Sequence, residues 1–178
     1  MGARSLRWRG LHLPRGTGIL DAATAEALEA GAWQPAFTEA AFALARPEDR
    51  VAVAGTGCGH LVALLAGKLG LPHIALVEPD RARRAHLAAL ARMNGLPRLA
   101  FAAPAELPDL RPTLLFADLE GAALPRLAAL PTLRAIALET GPTPPPARMA
   151  AIFAAAGETG LSYDAALSAG SGLVLRRA

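Results

Sequence analysis

The run Val51-Ala52-Val53-Ala54-Gly55-Thr56-Gly57-Cys58-Gly59-His60-Leu61 sets the reading of the whole chain. Apolar residues stop at a glycine, further glycines follow at alternate positions, and Leu61, Leu64, Leu65 and Leu69 then recur at helical spacing. A strand therefore feeds a tight turn that opens directly into a helix. Glycine allows positive φ in such a turn and lets a ligand touch the backbone. The helix start adds free N–H groups and a partial positive charge aimed at that ligand. About twenty residues on, the apolar run His73 to Val77 ends at Glu78, where a carboxylate can accept hydrogen bonds from both hydroxyls of a ribose.

The glycine spacing narrows the choice of ligand. A dinucleotide-binding turn reads G-x-G-x-x-G. Counted from Gly55, its last glycine would fall at position 60, which is His60; here the glycine is Gly59. A nicotinamide-dependent oxidoreductase also lacks an obvious Tyr/Lys pair, because Tyr163 and Lys68 are the sole residues of their types.

Outward from this segment the chain alternates. Residues 1 to about 18 read as an irregular basic arm. Helices are expected from about Ala22 to Ala30, capped by Asp21, and from about Pro35 to Ala45. After His73 to Val77, Asp80 caps a helix through Arg92, with Leu87 and Leu90 inward, Arg81, Arg84 and Arg92 outward, and Gly95 as its stop. Further strands are expected at Leu99 to Ala103, Thr113 to Ala117 and Leu133 to Leu138, with a short helix from Leu124 to Leu130. The loop Pro142 to Pro146 leads into a helix ending near Gly157, and Leu161 to Ala165 and Gly172 to Arg176 are the last strands. Such alternation implies crossover units. The predicted fold is α/β: a Rossmann-like, doubly wound, mostly parallel seven-stranded sheet with helices on both faces. The last strands lie too close together for a helix between them, so one is expected to run antiparallel. Residues 1–48 form an N-terminal arm and helices packing on a core of residues 49–178, as one structural domain.

At 178 residues the chain suits a single domain. Its excess of basic over acidic residues, 18 against 15, is too small for a nucleic-acid face, and neither a basic stripe nor an aromatic run is present. Cys58 is the single cysteine, which excludes an internal disulfide and a zinc cluster. No stretch approaches the ~20 apolar residues of a membrane span, and the basic N-terminus lacks the apolar core of a secretory signal. A cytoplasmic protein with no nucleic-acid or membrane partner and no metal is the expectation; a homodimer stays open.

A second constellation is Asp118-Leu119-Glu120-Gly121-Ala122, at the end of the fourth strand. In open α/β sheets ligands sit at the carboxyl ends of the strands, so Gly55 to Gly59, Glu78, Asp118 and Glu139 should share one rim. The G-x-G-x-G turn resembles the first motif of class I methyltransferases. The whole order resembles the FkbM family of methyltransferases: Gly31-Ala32-Trp33-Gln34-Pro35, then Val51 to Gly59, Glu78-Pro79-Asp80, Asn94-Gly95-Leu96, Asp118 to Ala122, and a strand ending in Glu139. The likeness runs from about Gly18 to Leu175.

The resemblance implies S-adenosylmethionine as cofactor and methyl transfer to a hydroxyl of a small molecule or saccharide. Gly55, Thr56, Gly57 and Gly59 would hold the methionine end, and Glu78 with Pro79 the ribose. Ala105 and Glu106 would flank the adenine. Asp118 and Glu120 would face donor and acceptor as the catalytic candidates, with Asp118 also touching the cofactor. Two positions depart from the family pattern: Val53 replaces an acidic residue, and Gln34 stands where glutamate is common. They keep a competing reading open, a degenerate non-catalytic module that binds the cofactor or a protein partner. Among other residues, Cys58 reads as packing with no paired histidine, His60 as touching a ligand or facing solvent, Trp33 as closing over the cofactor or anchoring the N-terminal helices, and Arg81, Arg83 and Arg84 as a solvated helix face or a patch for an acidic partner.

Overall fold

The computed structural model describes residues 5–120 and 126–177. Its centre is a seven-stranded sheet. Five strands run parallel: β3 (Arg50–Ala54), β4 (His73–Val77), β5 (Ala100–Ala102), β6 (Leu114–Asp118) and β7 (Ala135–Glu139). β9 (Gly172–Arg176) pairs antiparallel to β7, and β8 (Ser162–Tyr163) closes the edge against β9. The order β5-β4-β3-β6-β7-β9-β8 reverses direction between β3 and β6. That switch point is where open α/β sheets bind ligands. The predicted doubly wound sheet is thus the observed one, with its antiparallel strand at β9.

One face of the sheet carries α1 (Ala22–Glu29), α2 (Pro35–Leu44), a short helix α3 (His60–Ala63) that continues as a π-helical turn over Leu64–Lys68, and α4 (Arg81–Met93). The predicted caps form: Asp21 accepts the Thr24 N–H at 2.7 Å and Asp80 the Arg83 N–H at 2.8 Å. Leu87 and Leu90 of α4 are fully buried against this face, each worth about 2–3 kcal/mol of apolar burial.

The N-terminal arm differs from the sequence reading. It is a β-hairpin, β1 (Ser5–Trp8) and β2 (Leu11–Pro14), turned at Arg9 and Gly10 with φ of 49° and 84°. Leu6, Trp8, Leu11 and Leu13 face the core while Ser5, Arg7 and His12 face out, a period of two hidden among the basic residues. The Asn94 side chain receives the His12 N–H and donates to its carbonyl, both at 2.7 Å, and so completes the hairpin edge where α4 ends.

The opposite face is covered by α5 (Pro146–Glu158), through Ile152 and Ala156, and by turns. The expected helix over 124–130 is a 3-10 turn at Leu127–Ala129; residues 124 and 125 lie outside the described residues. Between β5 and β6 stand Pro104, Pro108 and Pro112, one per helical turn, and only a 3-10 turn at Pro104–Glu106 forms. A cleft of about 440 Å³ consequently opens on this face over Ala52, Ala75 and Ala100. Far from the ligand rim, buried Asp49 accepts hydrogen bonds from the Thr113 hydroxyl at 2.7 Å and the Arg134 Nε at 3.0 Å, tying the start of β3 to β7. Burial alone would raise the Asp49 carboxyl; bonds from Arg134, Thr113 and the Arg46 N–H outweigh it and hold the group below the usual carboxylate range.

Candidate functional site

The ends of β3, β4, β6 and β7 and the start of α2 meet at one rim. A cleft of about 340 Å³ opens there, lined by Trp33, Gly55, Gly57, Arg83, Asp118 and Glu120 among others. Gly55, Gly57 and Gly59 all take positive φ, 75°, 51° and 80°. Two of them serve different ends. A Cβ at Gly59 would stand 2.7 Å from Leu90 Cδ1 and 3.0 Å from Leu87 Cδ2, so this glycine lets α4 approach the turn. A Cβ at Gly57 would meet nothing within 4 Å; this glycine leaves the backbone open to the cleft.

Glu78 is 1 % exposed. One carboxylate oxygen accepts the Thr56 hydroxyl at 2.7 Å and the Thr56 N–H at 3.3 Å; the other accepts the Asp80 N–H at 3.0 Å. The Arg83 guanidinium stands 3.9 Å away, and Arg84 donates to the Glu78 carbonyl while lying 5.4 Å over the Phe101 ring. Arg83 and Arg84 therefore fold back on the acidic strand end, and Arg81 alone of the three matches a solvated face. Helical spacing gives the direction of these side chains only after the position of Glu78 is known.

His60 neither reaches the cleft lining nor faces solvent: it is 1 % exposed, edge-on to Trp8 at 5.7 Å. Its Nδ1 lies 3.6 Å from the Cys58 Sγ, a partnership the sequence reading missed. The pair is nonetheless neutral. Burial lowers the imidazole to about 4 and raises the thiol to about 11, which keeps the cysteine from acting as a nucleophile. His86 links the turn to the N-terminal arm, bonding the Cys58 carbonyl at 2.9 Å and the Thr17 hydroxyl at 2.7 Å. Trp33 both packs on the core and lines the cleft, with its indole N–H buried and unpartnered.

Three carboxylates cluster at the other side of the switch point. Asp118 accepts the Glu120 N–H at 3.0 Å on one oxygen and the Gln34 amide at 3.1 Å on the other. Gln34 sits at the left-handed N-cap of α2, φ 40°. As an amide it donates to Asp118, where a glutamate would bring a like charge. Glu120 is exposed, and a Cβ at Gly141 would stand 2.6 Å from its Oε1. Glu139 pairs in register with Asp118 and is 5 % exposed, with Oε2 lacking any partner. Burial raises its carboxyl first of all; Ser171 and the Gly141 N–H pull the other way, and the charges of Asp118 and Glu120 add to the rise. Among the described residues, no three His, Cys, Asp or Glu side chains stand so as to hold a metal ion.

Of the residues singled out in sequence, Gly55, Gly57, Asp118 and Glu120 line the cleft, and Thr56, Gly59 and Glu78 stand behind it. Pro79 is exposed beside Glu78. Ala105 and Glu106 are not brought to the cleft: both are exposed, and Glu106 closes its own turn on the Ala103 N–H at 2.6 Å. Gly121 and Ala122 lie outside the described residues. Gln34, Arg83 and the orphaned Glu139 oxygen are site features that periodicity did not reveal.

Set against known proteins, the chain has the Rossmann-like methyltransferase fold. It is similar to precorrin-6y C5,15-methyltransferase of Geobacter metallireducens, with a TM-score of 0.62 at 10% identity over 82% of this chain and 88% of that one. It is similar also to the ribosomal protein L11 methylase of Lactobacillus delbrueckii, with a TM-score of 0.56 at 20% identity over 80% and 77%. A third is magnesium protoporphyrin IX methyltransferase of Synechocystis, solved with bound SAM: TM-score 0.54 at 17% identity over 86% and 83%. No protein-family model and no curated protein matches the sequence. No helix among the described residues is long and apolar enough to cross a membrane.

Proposed function

We propose that this protein is an S-adenosylmethionine-dependent methyltransferase of FkbM type, acting on a hydroxyl of a small molecule or saccharide. The observation that carries the reading is the open glycine turn, Gly55 to Gly59, held by Thr56 to the acidic end of the next strand at Glu78. The residues fit the cofactor in three respects. Gly57 offers bare backbone to a ligand. Glu78, at the end of the next strand behind the cleft, would supply the carboxylate for a ribose. The cleft carries an unpartnered Trp33 N–H, with an unpartnered Glu139 oxygen at the same rim, as expected where a ligand supplies the missing partners. Neighbours of the same fold include one solved with SAM.

The sulfonium of S-adenosylmethionine is already activated, so the protein's contribution is alignment and placement of charge. Gly55 and Gly57 give the methionine end a close backbone approach. With the cofactor bound, Glu78 would take the ribose hydroxyls; in its absence Thr56 and the Asp80 N–H hold both carboxylate oxygens and the Arg83 guanidinium stands 3.9 Å away. Asp118, fixed by Gln34, and Glu120 would set a negative field toward a sulfonium bound in the cleft. Val53 is buried among the core side chains and offers the cofactor no polar contact.

Replacing Glu78 with alanine removes charge-assisted bonds and should weaken S-adenosylmethionine binding by about 1–3 kcal/mol. Equilibrium dialysis of the folded variant against wild type tests this; equal affinities would refute the ribose assignment.

A further inference from the structure

The rim holds three carboxylates that are not equivalent. Both oxygens of Asp118 are engaged, one by Gln34 and one by the Glu120 N–H. Glu120 is exposed and solvated. Glu139 is buried beside them at the end of β7, facing the same side of the sheet as Asp118, and its Oε2 meets no donor. Gly172, its register partner on β9, packs closely against Ala36 of α2. A buried acceptor oxygen without a partner is costly, and a folded chain tolerates it where a bound group completes it.

We propose that Glu139, rather than Asp118 or Glu120, is the proton-exchanging group of the site and meets the O–H or N–H of the methyl acceptor. The inference rests on the methyltransferase reading and assigns the acceptor's chemistry: a neutral group that sheds a proton on methylation. An anionic acceptor such as a carboxylate would face Asp118, Glu120 and Glu139 together. In the transfer, the nucleophile forms its bond to the methyl carbon, the C–S electron pair returns to sulfur, and the nucleophile's proton passes to Glu139 Oε2. Charge balances throughout: the site loses the sulfonium's positive charge as Glu139 loses its negative one.

The groups that set this proton are Asp118 at the end of β6 and Glu120 in the loop after it, with Ser171 and the Gly141 N–H pulling the other way and Arg83 of α4 as a cation lining the cleft. Asp118, Glu120 and burial favour the protonated acid; a sulfonium in the cleft favours the carboxylate. In the mildly acidic range, where a raised carboxyl titrates, binding of S-adenosylmethionine should therefore release more proton than binding of the neutral S-adenosylhomocysteine.

The test is calorimetric titration of both compounds in buffers of differing ionisation enthalpy, on wild type and on Glu139→Gln. The expected result is up to one extra proton released with S-adenosylmethionine in wild type, with no difference between the two ligands in the variant. A difference that persists in Glu139→Gln, or is absent from wild type, overturns the assignment to Glu139. Carbon-13 NMR titration of the glutamate carboxyls in wild type gives a readout without the variant: one carboxyl should titrate above the ordinary range and fall with S-adenosylmethionine alone. No such carboxyl would overturn the assignment equally. Failure of both compounds to bind a folded protein overturns the methyltransferase reading itself, and this inference with it.

Discussion

The two halves of the ligand rim are finished to different degrees. On the β3–β4 side polar groups satisfy one another, His60 Nε2 excepted: Thr56 with Glu78, Glu78 with the Asp80 N–H, His86 with the Cys58 carbonyl and Thr17. On the β6–β7 side they do not. Glu139 lacks a partner for one oxygen, three carboxylates crowd together, and Gln34 holds a left-handed backbone conformation to reach Asp118. The first half is built to hold its shape and offer backbone. The second carries strain and unpaired charge of the kind folded proteins keep where a ligand or a reaction needs them. Scaffold and chemistry thus divide along the switch point.

The largest expected effect tests the rigid half. Gly59→Ala combines a φ of 80° with a Cβ 2.7 Å from Leu90, and should lower stability by about 3 kcal/mol in chemical denaturation. Gly57→Ala, at φ 51° with open space around it, should lose only about 1–2 kcal/mol of stability while impairing S-adenosylmethionine binding. Equal stability losses would erase the distinction between a packing glycine and a ligand glycine. The smallest effect tests the strained half. Gln34→Glu would set a second carboxylate against Asp118 and should cost about 1 kcal/mol at neutral pH, because the amide donor is lost and a like charge gained. The sign follows from proton uptake: the crowded pair holds a proton more readily when folded, so the penalty should shrink as pH falls through the acidic range. A penalty independent of pH would show that the Asp118–Gln34 contact is not electrostatic.

The fold was legible where hydrophobic period and punctuation agreed. Runs such as Val51 to Ala54 and His73 to Val77, bounded by glycines or acids, give the parallel strands, and Asp21 and Asp80 mark helix starts that the structure confirms. The hairpin at Ser5–Pro14 was obscured because its alternation of Leu6, Trp8, Leu11 and Leu13 spans a turn crowded with arginine. In the site, sequence brings Gly55, Gly57, Asp118 and Glu120 to one place because all four sit at strand ends. It could not rank the carboxylates. Whether Asp118 or Glu139 keeps a free oxygen depends on Gln34, 84 residues away from Asp118 in the chain, and on burial, neither of which has a local signature. The neutral Cys58–His60 pair is likewise set by the depth of the turn beneath Trp8, not by its spacing.

The central claim is most directly tested by titrating the purified protein in a calorimeter with S-adenosylmethionine, S-adenosylhomocysteine and NAD in parallel. The account predicts saturable binding of the first two and none of NAD. Absence of binding by the first two, or binding of NAD in their place, would contradict it.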